Sequence, residues 1–472
     1  MCVDNFFREH YLTYEMFLEL KNQYRFWSQS INTKVYIYDM VTSNIYVLKG
    51  NFKNLYEAKD REEFIAVLNK ISLDDIKLTY TSVDKILRSS VSPLKTKKVV
   101  NTMHLDLNNQ CNLACKYCFK DKKRFELKDW SIVTKALEYL VYDCGKDAPE
   151  YKIGYCYTSE PLLHFHSFKK LLVEITHLSK KINKEIAVFF TTNGTILTED
   201  ILRYFNRISR SFNISIDGNQ NVHDEMRLFK NGGGTFSVIE SNIQKLRQNN
   251  YTLLASSVLT SQYPYPARIL SFLLEIGFDD ILIKPARLGN ELSFNLSNIS
   301  ELKNGYKEYF DMLYQDITMG RFERINKYKG DFLFRFFKRP LLKQKTTKRC
   351  YWMENKISLN HLGEFFPCDS ALNINDLKIG DVYSGIDWQK FDQFLDVDMR
   401  SNCNHCWAKY ICGGTCYLQS WINKKDITMI DPTECELNKF FAEKSIGLLF
   451  RLIDENINIS ELRHFFARPS IR

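Results

Sequence analysis

The sequence predicts an α/β protein built round a partial barrel of six strand–helix units. Short apolar strands alternate with amphipathic helices from Val99 to Asn290, which calls for a parallel sheet with crossover helices. With 472 residues the chain is too long for one ordinary core, so further domains are expected on either side of the barrel. The cysteines fall mainly into two groups, one at the start of the barrel pattern and one near the C-terminus.

The composition indicates a globular protein without a membrane span. Hydrophobic residues make up 44% of the chain, and the longest apolar runs, such as residues 186–190, have the length of a strand. The N-terminal segment MCVDNFFREH lacks the positive-then-apolar pattern of a signal peptide, so we expect a cytoplasmic protein. In that reducing compartment, thirteen cysteines favour metal ligation over a disulfide framework.

The formal net charge of +9 does not indicate a nucleic-acid-binding protein. Basic residues are spread along the chain, and no motif of interleaved basic and aromatic side chains is present. Thiolate ligands of iron–sulfur clusters would lower the net charge further. The remaining basic excess suits an acidic peptide partner and a plain solvated surface equally well.

Residues 1–95 are predicted to form a separate module. A helical pattern covers residues 11–27, and the alternating stretches KVYIYD and NIYVLKG form a hairpin across a polar turn. Further helical patterns cover residues 55–71 and 81–90. The Ser-, Pro- and Lys-rich residues 89–98 are predicted to be a linker.

Six strand patterns, which we assign to residues 96–300, build the barrel. In chain order they are NTMHLDLN, YKIGYCY, EIAVFFTTNG, SFNISIDG, TLLASSVLT and DDILIKPAR. Helical patterns separate them, for example over residues 129–144 and 168–182. Because eight units make a complete barrel, the sequence predicts a partial (β/α)6 barrel of the TIM type. Polar residues gather where the strands end, which is where such barrels hold their active sites.

Three further segments complete the chain. Residues 301–345 are basic, aromatic and predicted to form a helical bridge. Residues 346–440 have poor periodicity and dense cysteine, so metal rather than a large apolar core is expected to organise them. Residues 441–472 are assigned to a C-terminal helix, part of the pattern ELNKFFAEKSIGLLFRLIDEN.

The segment CNLACKYCF places Cys111, Cys115 and Cys118 in a C-x3-C-x2-C arrangement after the first barrel strand. Four thiolates are the usual complement of a zinc or [4Fe–4S] site. If the protein ligates only three irons of a cubane, the fourth iron can bind an exogenous ligand. A zinc site with a distant fourth ligand is the alternative, and the spacing favours the open cluster.

This segment resembles the signature of radical S-adenosylmethionine (SAM) enzymes. The resemblance implies that the unique iron binds the amino and carboxylate groups of SAM. It also implies that the reduced cluster splits SAM into methionine and a 5′-deoxyadenosyl radical, which takes a hydrogen atom from the substrate. Tyr117 matches an aromatic position that usually touches the adenine in the family, and a packing role is its alternative.

The segment TSEP, residues 158–161, stands where the family commonly has Gly-Gly-Glu-Pro. The match implies that Glu160 lies next to the methionyl amino group. Thr158 and Ser159 replace the two glycines, which affects how closely the backbone approaches the cofactor.

Two later strand ends also resemble family motifs. The resemblance makes four residues candidates for cofactor contacts, including those to ribose and carboxylate: Asn193 in TTNG, Ser215 and Asp217 at the next strand end, and Arg227 in VHDEMR. Helix capping is the alternative role for a strand-end Ser or Asp.

Seven cysteines near the C-terminus have a fixed order. The order is Cys350-x12-Gly363-x4-Cys368, then Cys403-x2-Cys406-x5-Cys412-x3-Cys416, then Cys435. A zinc ribbon could use the middle four, but it would leave the other three without a role.

This order resembles the SPASM extension of radical SAM enzymes, which carries two auxiliary [4Fe–4S] clusters and would bring the total to three. The resemblance implies that four cysteines ligate the outer cluster: Cys403, Cys406, Cys412 and Cys435. It implies that three ligate the inner cluster: Cys350, Cys368 and Cys416. The inner cluster then has an iron open to a substrate thiolate or amide, or one closed by water or a non-cysteine ligand. The remaining cysteines are interpreted as plain buried residues: Cys2, Cys144 and Cys156.

Asp369 directly follows Cys368 and matches an aspartate that accepts a proton in anaerobic sulfatase-maturating relatives. Loss of a proton makes an α-carbon radical a stronger reductant, which eases electron transfer to an auxiliary cluster. A capping or hydrogen-bonding role is the alternative for this residue.

The resemblance favours catalysis on a polypeptide. Residues 1–95 weakly resemble the winged-helix leader-recognition element of peptide-maturation enzymes, which can bind a leader peptide as an added strand. We therefore predict a maturase that forms a thioether, a carbon–carbon crosslink or a related oxidised product in a ribosomally made precursor. Its electron donor would be a flavodoxin or ferredoxin. The alternatives are a formylglycine-generating sulfatase-maturating enzyme and a non-catalytic iron–sulfur electron-transfer protein, which would gain nothing from an open iron.

Overall fold

The computed structural model describes residues 14–21, 25–40, 42–71, 99–118, 125–155, 159–206, 211–286, 291–350, 355–372, 374–393 and 397–469. These residues form a three-stranded antiparallel sheet and a ten-stranded mixed sheet with helices packed around them. Within these ranges no helix is both long and apolar enough to cross a membrane.

The N-terminal sheet has one strand more than the sequence predicts. Its strands are Phe26–Ile31 (β1), Lys34–Asp39 (β2) and Ile45–Lys49 (β3), and its helices are Tyr14–Leu20, Asn51–Glu57 and Arg61–Leu68. The predicted β2–β3 hairpin is confirmed. The predicted helix over residues 11–27 is wrong at its C-terminal end, because Phe26 and Trp27 begin β1.

The predicted helix over residues 55–71 is two helices. The Asp60 side chain accepts a hydrogen bond from Glu63 N at 2.8 Å and caps the second helix, so the chain turns between them. The predicted helix over residues 81–90 and the predicted linker over residues 89–98 lie outside the described residues.

One face of the N-terminal sheet packs against the C-terminal part of the chain. Trp27 lies 5.6 Å from Phe450 and 6.4 Å from Trp407, measured between ring centroids. Asp454 accepts hydrogen bonds from Lys34 Nζ at 2.6 Å and Tyr36 Oη at 2.8 Å. The N-terminal module is therefore docked on the long C-terminal helix.

Six parallel strands in consecutive order confirm the predicted sheet. They are Thr102–Asp106 (β4), Tyr151–Tyr155 (β5), Ile186–Thr192 (β6), Ser211–Ser215 (β7), Thr252–Leu259 (β8) and Asp280–Pro285 (β9). The helices around them are Ser131–Tyr139, extended by the π-helical turn Leu140–Cys144, then Phe165–Ile182, Glu199–Phe205, Gln220–Met226, Phe236–Gln248 and Pro266–Ile276. All six strands end at one edge, where the cysteine loop begins.

The sheet continues beyond the barrel strands, which the sequence did not predict. Lys356–Asn360 (β10) pairs in parallel with β4, and Glu364–Phe366 (β11), Gly380–Asp381 (β12) and Gly385–Ile386 (β13) follow antiparallel. The cysteine-rich region is therefore joined to the barrel through a shared sheet.

Three helices confirm the predicted helical character of residues 301–345, namely Ile299–Thr318, Phe322–Asn326 and Phe334–Leu342. The α-helices that follow are Trp388–Gln393, Lys409–Cys412, Tyr417–Lys424, Pro432–Asp454 and Ile459–Ala467. The predicted single C-terminal helix is two helices, and the first begins before Cys435.

The cysteine-rich region has an apolar core after all. Ile357, Leu359, Phe365 and Leu418 are buried in the same hydrophobic cluster as the barrel strands. The expectation that this region lacks a large apolar core is therefore wrong. That metal also organises the region stays a prediction. The alternation was hidden because its strands have only two to five residues.

Gly154 makes room for a buried histidine on the neighbouring strand. It lies opposite His104 in the β4–β5 register, and a Cβ added at Gly154 would lie 2.7 Å from His104 Cδ2. We predict that Gly154→Ala lowers the free energy of unfolding by about 1–3 kcal/mol, because the histidine must move. Denaturant titration measures the change. In a His104→Ala background the same substitution should cost far less, and an equal cost in both backgrounds would contradict the steric account.

Candidate active site

The cysteine loop follows β4 and is held on both sides by backbone hydrogen bonds. Ala114 N donates to Leu228 O at 2.8 Å, and Glu160 N donates to Gln110 O at 2.9 Å. The loop is thereby fixed to the end of β5 and to the segment that follows helix Gln220–Met226. Its position at the carboxyl edge of a parallel sheet is where α/β barrels carry their chemistry.

The thiols of Cys111, Cys115 and Cys118 lie together on this loop, and none of them forms a disulfide. The pKa of the Cys115 thiol is raised to about 11, mainly by burial. The charge of Arg227 opposes this rise, whereas Asp217 and the two neighbouring thiols add to it. Three thiols on one short loop are the donor set that a cubane with one open iron requires.

Across the described part of the chain, no three or more His, Cys, Asp or Glu side chains are placed to hold one ion. The open-cluster assignment of the cysteine loop stays a prediction.

Glu160 joins the ends of two strands. Its carboxylate accepts hydrogen bonds from Leu162 N at 3.1 Å, from Thr192 Oγ1 at 2.7 Å and from Asn193 N at 2.6 Å. Only 1% of the residue is exposed, so these bonds compensate for burying the charge. Glu160 therefore has a structural role at the site in addition to the cofactor contact that the sequence predicts.

Asn193 links the third strand end to the cysteine loop. Its Nδ2 lies 2.8 Å from Asn112 Oδ1 and 3.7 Å from Cys111 Sγ. Thr158 of the TSEP segment lies outside the described residues, whereas Ser159 is buried beside Glu160.

Asp217 is the centre of a buried polar network. Its Oδ2 accepts hydrogen bonds from Tyr117 Oη at 2.5 Å and Arg227 Nε at 2.9 Å, and its Oδ1 accepts one from Val258 N at 2.8 Å. The Arg227 guanidinium also lies 5.3 Å from the centre of the Tyr117 ring. Three residues predicted to contact the cofactor are thus brought together beside Cys115.

Tyr117 and Ser215 occupy different environments. Tyr117 packs against Met226 and Leu292 and is 9% exposed, and its contact with the adenine stays a prediction. Ser215 is half-buried at the end of β7 and lies opposite Ser256 in the sheet register.

A charged cluster lies inside the barrel and contains Asp369 together with His104 and Lys356, which the sequence did not predict. Asp369 Oδ1 lies 3.0 Å from Lys356 Nζ and 3.5 Å from His104 Nδ1. Burial raises the pKa of Asp369, but Lys356 and the contact with His104 lower it more, so it lies well below its ordinary value. Burial, followed by the charge of Lys356, lowers the pKa of His104 to about 4, so this histidine is neutral at pH 7.

The four cysteines predicted to bind the outer cluster line one recess, namely Cys403, Cys406, Cys412 and Cys435. Lys409 and Lys439 also line it and would offset the negative charge of thiolates. The recess therefore has the donor set and the surrounding charge that a four-cysteine cluster needs.

The three cysteines predicted for the inner cluster lie on separate elements. A buried ion pair joins the segments of two of them, Cys350 and Cys416. Cys368 follows β11, Cys416 precedes helix Tyr417–Lys424, and Cys350 follows Arg349. Arg349 Nε donates to Glu434 Oε1 at 2.8 Å, and Glu434 Oε2 accepts from Cys416 N at 2.7 Å. Arg349 Nη1 is buried with no hydrogen-bond partner within the described ranges, so a cluster sulfur at this site would supply an acceptor.

The spare Cys144 is half-buried at the end of the π-helical turn Leu140–Cys144, and burial raises the pKa of its thiol to about 12. Its interpretation as a plain buried residue stays a prediction. Cys2 and Cys156 lie outside the described residues.

A cavity of about 330 Å³ lies between the end of β9 and the cysteine-rich region. Pro285, Phe294, Arg349 and Asn438 are among its lining residues. Leu292, which packs on Tyr117, directly precedes the lining residue Ser293 in the chain. A volume of this size is at the lower end of the range for ligand pockets.

Comparison with known proteins identifies the first part of this site. Residues 106–261 match the radical SAM superfamily. The chain carries a radical SAM domain. The domain contains the cysteine loop, Glu160, Asn193, Ser215, Asp217 and Arg227. Radical SAM proteins bind SAM and a [4Fe–4S] cluster, for which the loop has the donor set.

Relatives extend the similarity beyond that domain. The chain is 26% identical over 367 residues to a cysteine-type anaerobic sulfatase-maturating enzyme of Clostridium novyi, covering 72% of this chain and 94% of that enzyme. It is 22% identical over 407 residues to the radical SAM cyclopropyl synthase TigE of Paramaledivibacter caminithermalis, covering 78% and 77%. The solved structure of native anSMEcpe with bound AdoMet shares the fold, with a TM-score of 0.62, 17% identity and coverage of 75% and 99%.

Neutral His223 supports the Asp217 network and gives the site a pH dependence. His223 Nδ1 accepts a hydrogen bond from Asp217 N at 3.3 Å, so its proton is on Nε2, which lies 2.9 Å from Thr235 Oγ1. Burial lowers the pKa of His223 from 6.5 to about 4.

We predict that the free energy of unfolding falls as pH drops from about 6.5 to 4, because the unfolded state then binds the proton that folded His223 excludes. The fall is at most about 3 kcal/mol for this histidine. His104, whose pKa is also lowered to about 4, adds a similar fall, so His223→Gln should remove about half of the combined slope in denaturant titrations across this range, whereas replacing the exposed His177 should not change it. An unchanged pH slope in His223→Gln would contradict the assignment.

Proposed function

We propose that this radical SAM protein is a peptide maturase. In this proposal it installs a thioether, a carbon–carbon crosslink or a related oxidised product in a ribosomally made precursor. Residues 346–440 would be a SPASM domain with two auxiliary [4Fe–4S] clusters, and residues 1–95 would bind a leader peptide. The three-stranded N-terminal sheet, which can accept a peptide as an added strand, is the observation that favours this proposal.

The N-terminal sheet supports leader binding through its β3 edge. Asp39 N donates to Asn44 O, and hydrogen-bonded pairs alternate along an antiparallel ladder. The pair Tyr36–Val47 is therefore a non-hydrogen-bonded pair, and the N–H and C=O groups of Val47 point away from β2. Within the described ranges β3 pairs with β2 alone, so its outer edge offers these groups to an added strand.

The chain's own residues have distinct roles in this proposal. Cys111, Cys115 and Cys118 would hold the cluster that, together with SAM, supplies the 5′-deoxyadenosyl radical. The Asp217 network would fix the loop beside the cofactor. The cavity of about 330 Å³ would admit a short part of the peptide.

Asp369 would receive the proton that the substrate loses. The charge of Lys356 keeps its carboxylate deprotonated at neutral pH, which is the state from which an acceptor must start. The same charge makes the carboxylate a weaker base, so the Lys356 contact must loosen when the proton arrives.

Sulfatase maturation is the second candidate function. The similarity to the Clostridium novyi enzyme spans nearly the whole of that relative and supports the chemistry at Asp369. A peptide substrate is common to both candidates, since the solved anSMEcpe fold is also known with a bound Kp18Cys peptide. The relationship to TigE supports a bond-forming reaction.

Mass spectrometry of a short peptide encoded beside the gene, co-expressed with this protein, tests the proposal. We predict the loss of two hydrogens for each crosslink formed. Val47→Pro should reduce this modification about tenfold or more, because it removes an outward N–H without breaking the β2–β3 ladder. Val47→Thr keeps the N–H and serves as the control.

Formation of 5′-deoxyadenosine without peptide should be the same in the unmodified protein, in Val47→Pro and in Val47→Thr. Full modification by the proline variant would reject leader binding at β3. Modification of a co-expressed sulfatase, with the short peptide left unchanged, would favour the second candidate.

A further inference from the structure

Two buried side chains donate hydrogen bonds to cysteines of the proposed auxiliary clusters. Tyr417 Oη donates to Cys368 Sγ at 2.9 Å, and Asn438 Nδ2 donates to Cys412 Sγ at 3.3 Å. Tyr417 is 3% exposed and Asn438 is 1% exposed. Water therefore does not compete for either bond.

Each donor is positioned by an element that carries another cysteine of the same cluster. Tyr417 directly follows Cys416 and begins helix Tyr417–Lys424, so its hydroxyl reaches from one inner-cluster cysteine to a second. Asn438 lies three residues after Cys435 in helix Pro432–Asp454, so both side chains lie on one helix face. The same backbone therefore fixes a ligand and a donor to a second ligand.

We propose that Tyr417 raises the reduction potential of the inner cluster and that Asn438 raises that of the outer cluster. The inference rests on the proposed function, since it requires both auxiliary clusters. Reduction adds negative charge to a cluster and its thiolates, so a donor to a ligand sulfur stabilises the reduced form more than the oxidised form. The shorter bond from Tyr417 gives the inner cluster the larger effect.

The proposed roles would make both clusters better electron acceptors. A substrate-centred radical that gives one electron to a cluster and one proton to a base becomes the oxidised, closed-shell product. Tyr417 and Asn438 are positioning residues in this scheme, because they touch cluster ligands rather than substrate. Asp369, adjacent to Cys368, places the base beside the same cluster.

Redox titration followed by electron paramagnetic resonance tests the proposal. The full-length protein is reconstituted anaerobically in a background with Cys111, Cys115 and Cys118 changed to Ala, which removes the third signal. Cys368→Ser and Cys403→Ser identify the inner and outer signals. Tyr417→Phe should shift the inner midpoint to a more negative potential and leave the outer one unchanged.

Asn438→Leu should shift the outer midpoint to a more negative potential and leave the inner one unchanged. Tyr410→Phe and Asn404→Leu, which lie in the same region, are the matched controls and should move neither midpoint. Unchanged midpoints in Tyr417→Phe and Asn438→Leu would overturn the proposal, as would equal shifts of both clusters. If Tyr417→Phe opened an iron to added cyanide, Tyr417 would be a ligand and its assignment as a donor would be wrong.

A second measurement uses protein that keeps Tyr417 and Asn438. It tests the proposal even if the variants at these positions fail to take up iron. Deuterium exchange should give electron–nuclear double resonance couplings to both auxiliary clusters from the exchanged hydroxyl and amide, and their absence would overturn the proposal. If the three-alanine background shows no auxiliary cluster signal at all, the proposed function fails and not merely the donor assignment.

Discussion

Two buried carboxylates hold the carboxyl edge of the parallel sheet together, and the cysteine loop depends on both. Glu160 accepts bonds from Leu162 in the turn that follows it and from the end of β6, whereas Asp217 accepts bonds from β8, from the cysteine loop and from Arg227. A buried charge is tolerated only when such donors surround it, so each carboxylate requires its neighbours to stay in place. The loop is thereby held in one position at this edge of the sheet.

The strand pair β10–β4 makes the cysteine-rich region part of the barrel. Because β10 lies beside β4, Lys356 faces the interior next to His104, and the turn after β11 brings Asp369 to both. The barrel and the cysteine-rich region are therefore aligned by a shared sheet and not by a flexible hinge. The Arg349–Glu434 ion pair adds a second connection, between the cysteines assigned to the two auxiliary clusters.

The sequence predicted what repeats and missed what depends on contacts between distant residues. Six strands alternating with helices were predictable because each strand is five to eight residues long. Strands β12 and β13 have two residues each and carry no periodicity, and Phe26 and Trp27 continued a helical pattern although they begin a strand. Asp217 was predictable as a site residue, but its bond to Tyr117 joins residues one hundred positions apart. The buried alternation of Thr102, His104 and Asp106 was the available signal for the interior cluster.

We propose that the cluster held by Cys111, Cys115 and Cys118 has one iron open to SAM. Electron–nuclear double resonance of the reduced, reconstituted protein, with SAM labelled at its amino nitrogen and carboxylate oxygen, is the decisive measurement. We expect both labels to couple to a [4Fe–4S] signal, and we expect the coupling to disappear when these three cysteines are alanine. A cluster signal without coupling to either label, or zinc bound by this loop in the active protein, would show that the proposal is wrong.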